Sequence, residues 1–189
     1  MARYTVLYDA CVLYPAPLRD LLMQLATADL FRAKWTDAIH GEWMRNVLRA
    51  RPDIKPEQLD RTRRLMDRAI MDCLVTGYEY LIPSIVLPDE KDRHIAAAAI
   101  HARADAIVTY NVKDFPADAL AKFNLEAIHP DDFINYQIDL DVASVVIAAQ
   151  RCRKRLRNPP REATEYLNTL EALQLPKSIG RLRQYVSIL

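Results

Sequence analysis

Ala106-Ile107-Val108-Thr109, followed by Tyr110-Asn111-Val112-Lys113-Asp114-Phe115, is the stretch on which the fold class turns. The first four residues are short, apolar and rich in β-branched side chains, with no polar alternation, which is the pattern of a parallel strand buried on both faces. The alanine-rich run Ile95–Ala106 before it predicts a helix, and Leu125–His129 after it predicts a last edge strand closed by Pro130. Working back toward the N-terminus, Tyr4–Leu7 repeats the short apolar strand and is ended by Tyr8-Asp9. Pro15 and Pro17 interrupt the chain before Leu18, Leu21, Leu22 and Leu25 recur at helical spacing. Ala33–Trp35 reads as a second strand, and Thr36 as the N-cap of a helix that carries Glu42. Residues 56–73 predict a third helix with an arginine-rich, solvated face, and Tyr80–Ile85 a turn plus a short strand. Strands alternating with helices predict a three-layer α/β fold around a mainly parallel sheet, in which ligands gather at the carboxyl ends of the strands.

From about residue 136 onward the strands stop. Val142–Leu156, Pro160–Leu173 and Pro176–Leu189 all read as helices, which divides the chain into an α/β domain over 1–135 and a helical C-terminal extension over 136–189. The extension carries the basic residues. Nine basic residues oppose five acidic ones from position 135 on, and Arg-Cys-Arg-Lys-Arg-Leu-Arg at 151–157 holds five of the nine. Helical spacing puts Arg151, Lys154 and Arg155 on one side, a candidate contact for RNA phosphates or an acidic partner.

The 189 residues are 51% hydrophobic and 27% charged, an ordinary globular composition, and the net charge of +1 excludes a protein that coats nucleic acid through its overall field. Gly41, Gly77 and Gly180 lie too far apart for a dinucleotide-binding or Walker A loop. Cys11, Cys73 and Cys152 are odd in number and widely spaced, which suits reduced thiols and a cytoplasmic location. No apolar run approaches the length of a membrane span, and Asp9 arrives before a signal-peptide core forms, so neither membrane nor export is expected.

Four acids fall where this fold brings loops together: Asp9 after the first strand, Glu42 on the second helix, Asp92 at the start of the alanine-rich helix and Asp114 after the strand at 106–109. Converging carboxylates repel unless a positive charge lies between them, and hard divalent cations such as Mg2+ or Mn2+ prefer oxygen ligands. A metal there could activate a water and neutralise a phosphodiester, so Asp9, Glu42, Asp92 and Asp114 are the candidate catalytic set, with Asp9, Asp92 and Asp114 as metal ligands. Asp37 reads as a first-turn helix acid, Asp89 as a cap of the alanine-rich helix or an extra ligand, and His94 and His101 as residues behind the ligands or on the surface rather than ligands, because hard-metal carboxylate sites rarely use imidazole. Asp9-Ala10-Cys11 lacks the second Asp that a haloacid-dehalogenase-like phosphatase needs two residues after its nucleophile.

Val6–Leu22, Trp35–Trp43, Leu87–Ala99 and Ala106–Pro116 together resemble the PIN-domain nucleases, and more closely the VapC-like toxin branch of bacterial toxin–antitoxin systems. The resemblance implies a PIN-like fold, divalent-metal-dependent endoribonuclease activity, a cognate antitoxin as partner and a homodimer. Asp9, Glu42 and Asp92 match the family's first three acids; its fourth polar position is Asn111, with Asp114 three residues further on. Two departures stand out. Position 11, where many relatives carry Ser, Thr or Asn, is Cys11, a weaker hydrogen-bonding group, which shifts the hydroxyl role to Thr109, and neutral Asn111 leaves the second-metal side of the site with less charge unless Asp114 supplies it. The competing expectation is a PIN-like module that has lost catalysis and only binds RNA or protein.

Overall fold

A computed structural model describes residues 4–189. In chain order its regular elements are β1 (Thr5–Tyr8), α1 (Ala10–Leu13), α2 (Ala16–Thr27), β2 (Arg32–Lys34), α3 (Asp37–Ala50), α4 (Pro56–Ala69), α5 (Arg93–His101), β3 (Ala106–Val108), α6 (Ala117–Ala121), β4 (Glu126–Ile128), α7 (Pro130–Arg155), α8 (Ala163–Glu171) and α9 (Pro176–Leu182). Short 3-10 turns lie at Glu79–Ser84, Glu90–Asp92, Val112–Asp114 and Arg183–Tyr185. The residues fall into two compact units that interleave along the chain: residues up to Tyr14 with Phe31–His129, and Pro15–Leu30 with Pro130–Leu189.

The first unit is built on a four-stranded, all-parallel sheet in the order β2-β1-β3-β4. Leu7 pairs with Lys34 on one side and Ile107 on the other, and Ile107 in turn with Ala127. Every residue of β1 and β3 is buried, as their unbroken apolar runs require of central strands. Ala96–Ala99 of α5 are all fully buried; side chains no larger than a methyl let this helix lie close against β1 and β3. The ladder continues past the strand ends, with Asp9 N–H donating to the Val108 carbonyl at 3.1 Å and Thr109 N–H to the Ile128 carbonyl at 3.0 Å. Asp9 and Thr109 are thus fixed at the carboxyl edge of the two central strands.

The expected strand at Tyr80–Ile85 is instead the 3-10 turn Glu79–Ser84. Pro83 has no N–H for a ladder, and the Ser84 hydroxyl closes a local bond to the Leu81 carbonyl at 2.7 Å. The alanine-rich helix stops at His101 rather than running to Ala106, because Arg103 turns into the left-handed region at φ 51° before β3 begins.

The second unit is all helical, with α2 against α7 and α8, and α9 against α7 and α8. Leu18, Leu21, Leu22 and Leu25 of α2 are fully buried, so a helix that sits between the first two strands in sequence contributes its apolar face to this unit. α7 starts at Pro130, earlier than the helix expected from Val142. The expected start survives as a kink: Asp141 is extended, and its carboxylate accepts from Ser144 N–H at 3.0 Å and from the Ser144 hydroxyl at 2.7 Å, capping the second half. Buried Asp131 likewise caps α9, accepting from the N–H groups of Lys177 and Ser178 and from the Ser178 hydroxyl. α8 begins at Ala163, where Glu162 and Glu165 form a capping box, rather than at Pro160.

Candidate active site

Asp9 is the anchor of the site. It is 4% exposed, and its Oδ2 accepts from the Thr109 hydroxyl at 2.6 Å and from the Cys11 thiol at 3.0 Å. Cys11 Sγ in turn receives Tyr110 N–H at 3.3 Å, and Thr109 Oγ1 receives Asn111 N–H at 3.0 Å, so the loops after β1 and β3 are tied together through this carboxylate. The Thr109 hydroxyl meets the Asp9 carboxylate, and the Cys11 thiol adds a second donor. Burial and the Asp9 charge push the Cys11 thiol far up, so it stays protonated and donating. Both bonds land on one oxygen; among the described residues, Oδ1 receives none.

The other acids meet Asp9 through their charges. Asp92 is raised to about 6, first by burial and then by Asp9, Asp89, Asp114 and Glu42, in that order. Glu42 is raised by burial and by Asp9, with Arg45 acting weakly in the opposite direction. His94 Nε2 lies 3.8 Å from the Glu42 carboxylate, and burial holds the His94 imidazole below its ordinary value. Its other ring nitrogen, Nδ1, is buried without a hydrogen-bond partner. His94, which the sequence leaves either behind the ligands or on the surface, therefore stands beside an acid of the cluster.

Asp89 caps the 3-10 turn at Glu90–Asp92 through Lys91 N–H at 2.9 Å, one turn before the alanine-rich helix whose N-cap is Asp92, and its charge also bears on Asp92. Asp114 ends the turn Val112–Asp114 and bears on Asp92 in the same way. Asn111 is exposed at the start of that turn, and its side chain makes no capping bond. Asp37 sits in the first turn of α3 and pairs with Arg63 at 2.7 Å, while Arg64 pairs with Asp60, so these two arginines of α4 are answered from within the unit.

Oxygen donors of like charge have the chemistry of a hard divalent-cation site: a 2+ ion offsets the burial and the neighbouring charges that raise Asp92. Among the described residues, no three His, Cys, Asp or Glu side chains form a ready-made metal cage. In the second unit, Arg151, Lys154 and Arg155 are exposed at the end of α7 as the spacing predicts. Arg153 is not part of that face: its guanidinium donates to the carbonyls of Leu189 and Arg161 at 2.7 and 2.9 Å.

A family profile described as PIN domain matches residues 5–113, and one described as VapC50 C-terminal domain matches residues 130–184. Over 50 residues the chain is 56% identical to a Mycobacterium tuberculosis protein named "Putative ribonuclease VapC50"; the matched stretch covers 26% of this chain and 30% of that protein. No solved structure matches the chain. No described helix is long and apolar enough to cross a membrane. The parallel sheet, the acids at its carboxyl edge and a profile that spans more than half of the residues lead to one placement: the chain belongs to the PIN-domain family, in its VapC-like branch.

Proposed function

We propose that the protein is a divalent-metal-dependent endoribonuclease, the toxin of a bacterial type II toxin–antitoxin system, acting in the cytoplasm as a homodimer on RNA and held in check by a cognate antitoxin. The observation that supports it most is the acid cluster, in which Asp92 is raised to about 6 by burial and, after it, by the charges of Asp9, Asp89, Asp114 and Glu42. Charge repulsion maintained at the carboxyl edge of a parallel sheet costs stability and is kept where it serves a ligand.

Asp9, Asp92 and Asp114 would hold Mg2+ or Mn2+, with Glu42 beside them. When bound, the cation supplies charge neutralisation for a phosphodiester and lowers the pKa of a coordinated water. The protein's own part is positional. Thr109 and Cys11 fix the Asp9 carboxylate by two hydrogen bonds to Oδ2, so that Oδ1 is presented in one orientation. Glu42, raised by burial and by Asp9, would hold or release a proton at the carboxylate beside His94. Arg151, Lys154 and Arg155 would contact RNA phosphates.

The test is cleavage of single-stranded RNA by the purified chain with Mg2+ or Mn2+. Cleavage that stops in EDTA and is lost in Asp9→Ala is the expected result; unchanged cleavage in either case overturns the reading. The absence of a ready-made cage among the described residues favours the second reading, a PIN-like module that binds RNA without cutting it. For that module, RNA binding persists with no cleavage under any metal.

A further inference from the structure

The second unit holds a cavity that neither the acid cluster nor the basic helix face accounts for. About 200 Å³ in volume, it is lined by Ala16, Pro17 and Asp20 of α2, Cys152 and Leu156 at the end of α7, Arg161, and Tyr166 and Thr169 of α8. Through Leu156 and Arg161 it adjoins a shallower opening of about 390 Å³, walled by Arg155, Arg157, Asn158 and Pro159. Its size falls below the range of about 300–1,000 Å³ typical of sites for drug-sized ligands, which suits one planar ring system.

Its wall contains an unspent polar group. Tyr166 is 2% exposed and its hydroxyl is buried with no hydrogen-bond partner of ordinary geometry, the Cys152 thiol beside it making only a weak contact. Leaving a buried hydroxyl unsatisfied costs about 1–3 kcal/mol, so a ligand that reaches it gains what the fold has left open. Asp20 and Thr169 add a carboxylate and a hydroxyl to the same lining, and burial pushes the Asp20 carboxyl up against the opposing pull of Arg19 and Arg155. Arg155, Arg157 and Arg161 are exposed, and among the described residues none forms an ion pair. Cations outside, an apolar slot within and hydrogen-bonding groups at its wall match a nucleotide: phosphate on the arginines, base in the slot with its polar edge on Tyr166, Asp20 and Thr169. An acidic peptide fits less well, since Asp20 would repel it.

We propose that this cavity is a subsite for one unstacked nucleotide of a single-stranded RNA, which rests on the ribonuclease reading and extends it to a second point of RNA recognition. A free mononucleotide offers the same chemistry. The experiment is fluorescence anisotropy of a fluorescein-labelled, mixed-sequence single-stranded RNA with the full chain carrying Asp9→Asn, across a salt series, with each subsite substitution added in turn. Tyr166→Phe removes one oxygen and relieves its burial, so it should melt no lower than the parent yet bind RNA at least threefold more weakly. Thr169→Trp fills the slot and should weaken binding about tenfold. Arg157→Glu with Arg161→Glu should flatten the log–log salt slope by roughly 0.7 per lost phosphate contact.

RNA affinity unchanged in Tyr166→Phe and Thr169→Trp overturns the subsite, and if the wild-type chain still cleaves RNA with metal, the ribonuclease reading stands without it. Calorimetric binding of AMP or UMP that Tyr166→Phe weakens, beside unaltered RNA binding, overturns the strand proposal in favour of a mononucleotide site. No RNA binding by the Asp9→Asn chain and no cleavage by the wild type overturn the subsite and the ribonuclease reading together.

Discussion

His40 and Glu42 lie two residues apart on α3 and belong to opposite kinds of polar site. Around His40 every group is answered. The Trp43 indole can only donate, and it reaches His40 Nδ1 at 3.0 Å, so that nitrogen accepts and Nε2 carries the hydrogen given to Asp67 at 2.9 Å. Trp35 Nε1 donates to the same Asp67 oxygen at 2.8 Å, and burial keeps the imidazole below its ordinary value and neutral. Trp35, His40 and Trp43 are all but fully buried, and the network bolts α3 to α4. Around Glu42 the account does not balance: acids face acids, and the nearest partner is an imidazole that burial discourages from charging. A satisfied buried network stabilises a fold, whereas a buried cluster left in deficit is kept for something that arrives later.

The sharpest way to break this contrast is to remove one acid from each side. Asp67→Ala strands two buried donors and should cost about 3 kcal/mol in urea unfolding. Asp92→Asn relieves repulsion, so it should hold or raise stability while lowering RNA cleavage by at least about a hundredfold. The reverse pattern of stabilities would remove the distinction. Asp114 and Asn111 sharpen it at the cluster's rim. Asp114 contributes charge to Asp92 and Asn111 does not, so Asp114→Asn should weaken Mn2+ binding about tenfold and Asn111→Ala less than threefold, by metal titration. Equal affinity in the wild type and Asp114→Asn, with activity preserved, takes Asp114 out of the site.

The smallest effect is on pH. Asp92 is raised from its ordinary value to about 6, so between pH 4 and about 6 the folded chain binds more protons than the unfolded one, and stability falls as pH rises through that window. The metal-free protein should therefore lose melting temperature from pH 4 to about 6 relative to Asp92→Asn. Parallel curves would show that Asp92 is not raised in the folded chain.

The positions of Asp9 and Asp92 were legible in the sequence, because one follows β1 and the other precedes α5, where a parallel sheet must gather its loops. The sequence carried the strands of the sheet as well, short apolar runs having few other uses. What it could not carry were contacts made by packing across long separations. Asp67 reads as one acid among the arginines of α4, and only the docking of α4 on α3 shows that it bonds His40 and Trp35. The unit to which α2 belongs was hidden likewise, since apolar spacing marks which face is buried without saying against what. Cys11 was legible as a departure from the family and illegible as a donor, because a thiol donates here only through its distance to Asp9.

The measurement that bears most directly on the acid cluster is isothermal calorimetry of Mn2+ at pH 7.5 with the wild-type chain and with Asp9→Asn, which keeps an acceptor for Thr109 and Cys11 while removing the charge. Saturable Mn2+ binding to the wild type that Asp9→Asn weakens at least tenfold, with both proteins folded by circular dichroism, is the predicted result. Mn2+ binding of equal strength in the two proteins, or none in the wild type, would contradict the claim that these carboxylates are held together for a metal.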